Sequence, residues 1–187
     1  MAADRPRTAP IALVGMMGAG KTSVGRRLAQ RLGREFVDAD RELEARCGVP
    51  VATIFDLEGE DGFRRRESAL IDELTLRAGI VLATGGGAVV RSENRAWLHA
   101  RAHVVYLRTT AHEVWLRTRR DRSRPLLQTA NPRARIAELI AARDPLYREV
   151  AHETVETGRQ PIEHVVLAII ARLPDRLGAS CEPRAPG

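Results

Sequence analysis

Aromatic side chains make up only 4 % of this 187-residue chain. So few rings leave little material for the stacking platforms on which single-stranded nucleic acids lie. Cysteine is scarce as well: Cys47 and Cys181 stand far apart and match no metal-ligand spacing, which argues for a reduced compartment and against a disulfide framework. No apolar run approaches the length of a bilayer-spanning helix. Residues 1–10 are polar, carry Asp4, Arg5 and Arg7, and contain no apolar segment of the kind a secretory signal needs. Internal repeats are absent. The expectation is a cytoplasmic globular protein with no membrane partner.

What is present suits one domain with a sizeable core, since 44 % of the residues are hydrophobic. The formal net charge of +6 is compatible with a nucleic-acid partner, but arginines gathered around a phosphate site satisfy the same arithmetic with a small anionic substrate. Strands are predicted at Ile11–Val14, Glu35–Val37, Ile80–Ala83, His103–Leu107 and Glu153–Glu156; all but the last are rich in apolar or β-branched residues. Helical spacing fills the intervals, with Val24, Leu28 and Leu32 on one face of Lys21–Leu32, and Leu70, Ile71 and Leu74 within Ser68–Leu76. Alternating strands and helices imply an α/β fold with a parallel sheet covered on both faces. Pro161 opens a closing helix over Ile162–Leu173. The domain is expected to span residues 1–173, and the proline-rich tail, 174–187, to be disordered.

The most specific signal is Gly15-Met16-Met17-Gly18-Ala19-Gly20-Lys21-Thr22, placed between the first strand and the first helix. Glycines let successive backbone N–H groups face phosphate oxygens, and the helix that follows adds its positive end. Lys21 is suited to the β- and γ-phosphates of a nucleoside triphosphate and Thr22 to Mg²⁺.

Weaker signals cluster where the chain returns to the same edge of the sheet. Asp38-Ala39-Asp40 ends the second strand, and alternation along an extended chain puts both carboxylates on one side, one for metal and one for a substrate hydroxyl; either also suits a helix cap. Gly62-Phe63-Arg64-Arg65-Arg66-Glu67 opens a long helix in which Glu67 is spaced to hold Arg64. Gly85-Gly86-Gly87 after the third strand leaves backbone N–H groups open to a ligand. From Arg117 to Arg135 the chain holds Arg117, Arg119, Arg120, Arg122, Arg124, Arg133 and Arg135 against one acid, Asp121. Such a segment is either a solvated basic loop or a mobile lid that closes over phosphates, and we favour the lid. Arg143, in Ala142-Arg143-Asp144-Pro145-Leu146-Tyr147, offers a further cation.

In order and spacing, these motifs, with Arg124-Pro125-Leu126-Leu127, resemble those of shikimate kinases from about residue 9 to 172. The resemblance implies a three-layer P-loop kinase sandwich, a five-stranded parallel sheet in the order 2-3-1-4-5, and transfer of the γ-phosphoryl of ATP to the 3-hydroxyl of shikimate. Carried over by position, Gly18, Ala19, Gly20, Lys21, Thr22 and Ser23 bind the ATP phosphates, Lys21 neutralises the transferring group, and Thr22 and Asp38 serve Mg²⁺, the latter through water. Asp40 holds the shikimate hydroxyls and accepts the proton, Arg64 and Arg143 bind the carboxylate, and Gly86 lies beside the ring. Arg124 swings onto the phosphates, while Arg117 and Gln160 flank adenine. The expected partners are shikimate and ATP alone, bound by a monomer, with no nucleic acid. Thr22 stands where serine is more usual in this family, and the tail after Leu173 lies outside the resemblance.

Other classes make distinguishable predictions. A related small-molecule kinase such as a gluconate kinase shares the phosphate loop and lacks the paired arginines and triple glycine. A non-catalytic nucleotide-binding module requires a damaged acceptor site, yet Asp40, Arg64, Gly86 and Arg143 are all present. Nucleic-acid binding, suggested only by charge, requires steep salt dependence.

Overall fold

A computed structural model describes residues 9–119 and 129–178. Five strands, β1 (Ile11–Val14), β2 (Glu35–Asp38), β3 (Ile80–Ala83), β4 (His103–Arg108) and β5 (Glu153–Glu156), pair in parallel in the order β2-β3-β1-β4-β5. The helices between them are α1 (Lys21–Leu32), α2 (Ala39–Cys47), α3 (Val51–Leu74), α4 (Ser92–Arg101), α5 (Ala111–Thr118), α6 (Pro132–Val150), α7 (Ile162–Ile170) and α8 (Asp175–Gly178).

Alternation along β1 decides which helix covers which face. Ile11 and Leu13 point into a cluster with Val24 and Leu28 of α1 and Val165, Val166 and Ile169 of α7. Their neighbours Ala12 and Val14 point the other way, to Ile71 of α3, Leu98 of α4 and Tyr147 of α6. The sheet is therefore buried on both sides, which is why its central strands read as continuous apolar runs. At the β2 edge, Val37, Ile80 and Leu82 pack with Leu43, Phe63, Leu70 and Leu74.

Local chemistry sets the helix ends near the cleft. Asp38 caps α2, accepting from the backbone N–H of Arg41. Thr110 and Glu113 form a reciprocal cap on α5, and Asn131 with Pro132 starts α6. The expected helix around Arg64 starts earlier than Gly62: Pro50 opens it, and at Gly59 the backbone turns through φ 68°, ψ −177°. Only glycine adopts that conformation readily, so α3 is two helical pieces, 51–58 and 60–74, joined at a break.

The tail expected to be disordered from residue 174 keeps structure over its first residues. Asp175–Gly178 is helical, and Leu177 is buried in the cluster beneath α1. Arg34 links the segment just before β1 to α8, donating to the carbonyls of Ala9 at 2.8 Å and Leu177 at 3.1 Å. Leu173 and Leu177, one helical turn apart, carry the apolar signal for this segment. The lid expected over 117–135 has helical ends, in α5 and α6; residues 120–128, Arg124 included, lie outside the described residues.

Candidate active site

At the carboxyl edge of the sheet, three cavities run into one another across the phosphate loop. The first, of about 420 Å³, is lined by Asp38, Asp40, Arg64, Glu67, Gly86 and Arg143 among others. It shares Met17, Thr22, Asp38, Asp40 and Gly86 with a second, of about 240 Å³, which also contains Gly18, Gly20, Lys21 and Ser23. A third, of about 250 Å³, shares Gly18, Gly20 and Ser23 with the second and adds Ala19, Arg117 and Gln160. Every described candidate from the sequence lines this one cleft.

In the middle, the Lys21 amine is buried and donates to the carbonyls of Gly15 at 2.7 Å and Met16 at 2.9 Å. Thr22 donates its hydroxyl proton to Asp38 Oδ2 at 2.7 Å, so Asp38 is both helix cap and partner of the Thr22 hydroxyl. Asp40 reaches the cavity differently from the sequence expectation. It lies in the first turn of α2, not on an extended strand, because the cap at Asp38 starts the helix one residue after it.

Toward the third cavity, Arg117 donates to the carbonyls of Gly18 at 2.9 Å, Thr157 at 2.8 Å and Gly158 at 2.6 Å. It thereby ties the phosphate loop to the segment that follows β5. The described arginines at the two ends of the basic stretch have partners of their own. The guanidinium groups of Arg119 and Arg133 lie 5.4 and 3.7 Å from the Trp115 ring centre, and Arg135 pairs with Glu138 at 3.2 Å.

The first cavity is built from buried charge. Arg64 and Glu67 pair at 2.5 Å with side chains 6 % and 3 % exposed, as their helical spacing predicts. Burial pushes the Glu67 carboxyl above its ordinary range, against the opposing pull of Arg64. Arg64 Nε and Glu67 Oε1 are buried and have no hydrogen-bond partner among the described residues. Groups left so cost about 1–3 kcal/mol each, the mark of a site arranged for something other than stability.

The triple glycine makes room for these side chains. A Cβ on Gly85 would lie 2.6 Å from Glu67 Oε1 and 2.9 Å from Asp40 Oδ1, and one on Gly87 would collide with the Arg64 guanidinium. Close approach of side chains, more than exposed backbone N–H groups, therefore accounts for the motif. Gly86 offers its carbonyl instead, accepting from Arg143 Nη1 at 3.2 Å and from the Tyr147 hydroxyl at 2.5 Å. In the sequence Tyr147 stands only as part of a motif, with no role of its own. Its i+4 spacing from Arg143 on α6 is the signal that joins them. Burial drives the Tyr147 phenol up to about 12, so it remains a donor at neutral pH.

The arrangement is a cleft opening onto a charged pocket, and the chain that builds it is similar to known proteins. The solved shikimate kinase from Acinetobacter baumannii in complex with shikimate matches with a TM-score of 0.85 and 50 % identity, over 87 % of this chain and 91 % of that one. A gluconokinase from Sinorhizobium meliloti matches with a TM-score of 0.55 and 19 % identity, a likeness of fold alone. Among curated relatives, the shikimate kinase of Ralstonia nicotianae is 60 % identical over 160 residues, covering 86 % of this chain and 84 % of the relative. That of Bordetella avium is 57 % identical over 171 residues, covering 91 % and 82 %. With the family profile for shikimate kinase matching residues 17–174, the chain belongs to the shikimate kinase family of ATP-dependent kinases.

Proposed function

We propose that this cleft transfers the γ-phosphoryl of ATP to the 3-hydroxyl of shikimate, with the roles divided along its length. The supporting observation is the continuity of the three cavities, with Lys21 and Thr22 between the base-side cavity and the pocket of Arg64 and Arg143. Arg117 and Gln160 flank adenine; Gly18, Ala19, Gly20 and Ser23 wrap the phosphates; Lys21 neutralises charge on the transferring group. Arg64 and Arg143 receive the acceptor carboxylate, suited by the planar fork of the guanidinium. Gly86 lies against the ring, and Asp40 orients the attacking hydroxyl and takes its proton. Arg124 is assigned to the phosphates from its motif alone.

The metal assignment rests on donor chemistry. Thr22 and Asp38 present hard oxygens in hydrogen-bond contact, and Mg²⁺ uses one or two protein oxygens together with phosphates and water. Thr22 would hold it directly and Asp38 through water. When bound, the ion neutralises charge on the β- and γ-phosphates. Among the described residues no helix is long and apolar enough to cross a membrane. We assign the activity to a cytoplasmic monomer.

The test is ADP release from MgATP by the purified protein with shikimate, gluconate or no acceptor. Turnover that depends on shikimate is the expected result. Turnover with gluconate, or ATP hydrolysis indifferent to both, would overturn the reading.

A further inference from the structure

Arg64 is held by two carboxylates of unlike character. Glu67 is buried with it, and its Oε2 accepts from Nη1 at 2.5 Å. Glu60, one helical turn earlier, is 52 % exposed along its side chain and accepts from Nη2 at 3.2 Å. The first contact is short and interior; the second is longer and reaches water.

The edge of the guanidinium that Glu60 touches matters. Nε–H lies on the same edge as Nη2, and the two together form the fork that receives a carboxylate through parallel hydrogen bonds. Glu60 accepts from Nη2, one of the two nitrogens of that fork, while Nε is buried with no hydrogen-bond partner among the described residues. Arg64 lines the acceptor cavity, yet its side chain is only 6 % exposed. A second carboxylate that reached this edge would satisfy Nε, and at Nη2 it would meet the like charge of Glu60, with which it must share that nitrogen or which it must turn away.

We propose that Glu60 competes with the substrate carboxylate for the Nε–Nη2 edge of Arg64, and so sets the affinity for shikimate. The proposal rests on the reading of Arg64 as a carboxylate ligand. The backbone makes the exchange inexpensive. Glu60 follows the break at Gly59 and stands at the start of the second piece of α3, where the helix N-terminus stabilises a carboxylate whether or not it holds an arginine. Glu58 and Arg66 clamp the two pieces through hydrogen bonds of 2.7–3.1 Å, so the break keeps its shape while the Glu60 side chain turns away. Glu60 is a positioning residue in this scheme, since it acts on substrate through Arg64.

Glu60→Gln and Glu60→Ala test it, with KM and Kd for shikimate, KM for MgATP, and kcat measured for each. Shikimate KM and Kd are expected to fall by about two- to fivefold in both variants, the scale of a half-exposed ion pair. Neither kcat nor the MgATP constant should fall alongside. Unchanged shikimate constants overturn the proposal, and raised ones overturn it by making Glu60 a strut that orients Arg64. Where a variant is less stable, the rise in Tm on adding shikimate supplies the readout: a larger rise than in the unsubstituted protein supports the competition, and an equal or smaller one defeats it. An unsubstituted protein inactive toward shikimate would overturn both this and the acceptor assignment, whereas normal turnover with unaltered Glu60 variants would overturn this alone.

Discussion

Along the phosphate loop, the candidate groups from Gly18 to Ser23 are consecutive, and the contacts that hold this region are largely to backbone: Lys21 to the carbonyls of Gly15 and Met16, and Arg117 of α5 to those of Gly18, Thr157 and Gly158. In the acceptor pocket, Asp40 comes from α2, Arg64 and Glu67 from α3, Gly86 from the turn after β3, and Arg143 from α6. A site made of backbone tolerates a changed side chain without losing its shape. One made of buried charges from separate elements does not, because removing one partner strands another in a low dielectric. Substitutions in the first half should therefore alter chemistry with little change in stability, and those in the second should alter binding and stability together.

Lys21→Met should give the largest effect. Methionine keeps the length and packing of the stem and removes the charge, so kcat is expected to fall about a thousandfold. Because the carbonyls of Gly15 and Met16 lose a donor, Tm should drop too, though by less than in the variants of the second half. Steady-state kinetics and calorimetry check it; a kcat within tenfold of the unsubstituted protein would break the comparison at its strongest point. Arg143→Ala comes next. A buried charge-assisted contact is worth about 2–5 kcal/mol, so shikimate KM should rise by roughly thirtyfold or more, with the MgATP constant within about twofold. Tm should fall as well, since the Gly86 carbonyl loses a donor. Gly87→Ala introduces no charge and removes none, yet its Cβ would collide with the Arg64 guanidinium. Overpacking of this kind costs about 1–3 kcal/mol, to be read as a lower Tm together with a raised shikimate KM. A change confined to MgATP kinetics in either acceptor-side variant would erase the distinction between the halves.

The same contrast explains what could be read from the sequence. The phosphate loop was legible because its residues are contiguous and each residue type has a local task. Parallel strands were legible from apolar runs such as Ile11–Val14, and Arg64 with Glu67 from helical spacing. Asp40 was placed in the right cavity for the wrong reason, because alternation extends a strand past the residue, Asp38, whose side chain ends it. The start of α3 was missed because Gly59 interrupts the helical pattern just before the motif. Leu177 was missed because one buried leucine in a polar, proline-rich tail carries too little signal against the composition around it. Tyr147 had no assigned role because its partner, the Gly86 carbonyl, belongs to backbone that sequence spacing does not locate.

Tyr147→Phe is the smallest of these changes and sharpens the comparison most finely, since it removes one oxygen from the acceptor side and leaves every charge in place. The Gly86 carbonyl would keep its bond from Arg143 and lose the one from the hydroxyl, a net cost of about 1 kcal/mol, or about 2–4 °C in Tm for a domain of this size. Shikimate KM should rise by a few-fold, because Arg143 then carries the carbonyl alone. The effect also has a pH signature. Burial raises the phenol from 10.0 to about 12, so the neutral donor form is favoured by folding. Its contribution is fully present below the unfolded value and is lost as pH rises through the folded one. The Tm difference between the two proteins should therefore stay constant from neutral pH to about 10 and shrink between about 10 and 12. A difference that vanished already at neutral pH would mean that Arg143 alone fixes the Gly86 carbonyl and that the hydroxyl adds nothing to the acceptor pocket.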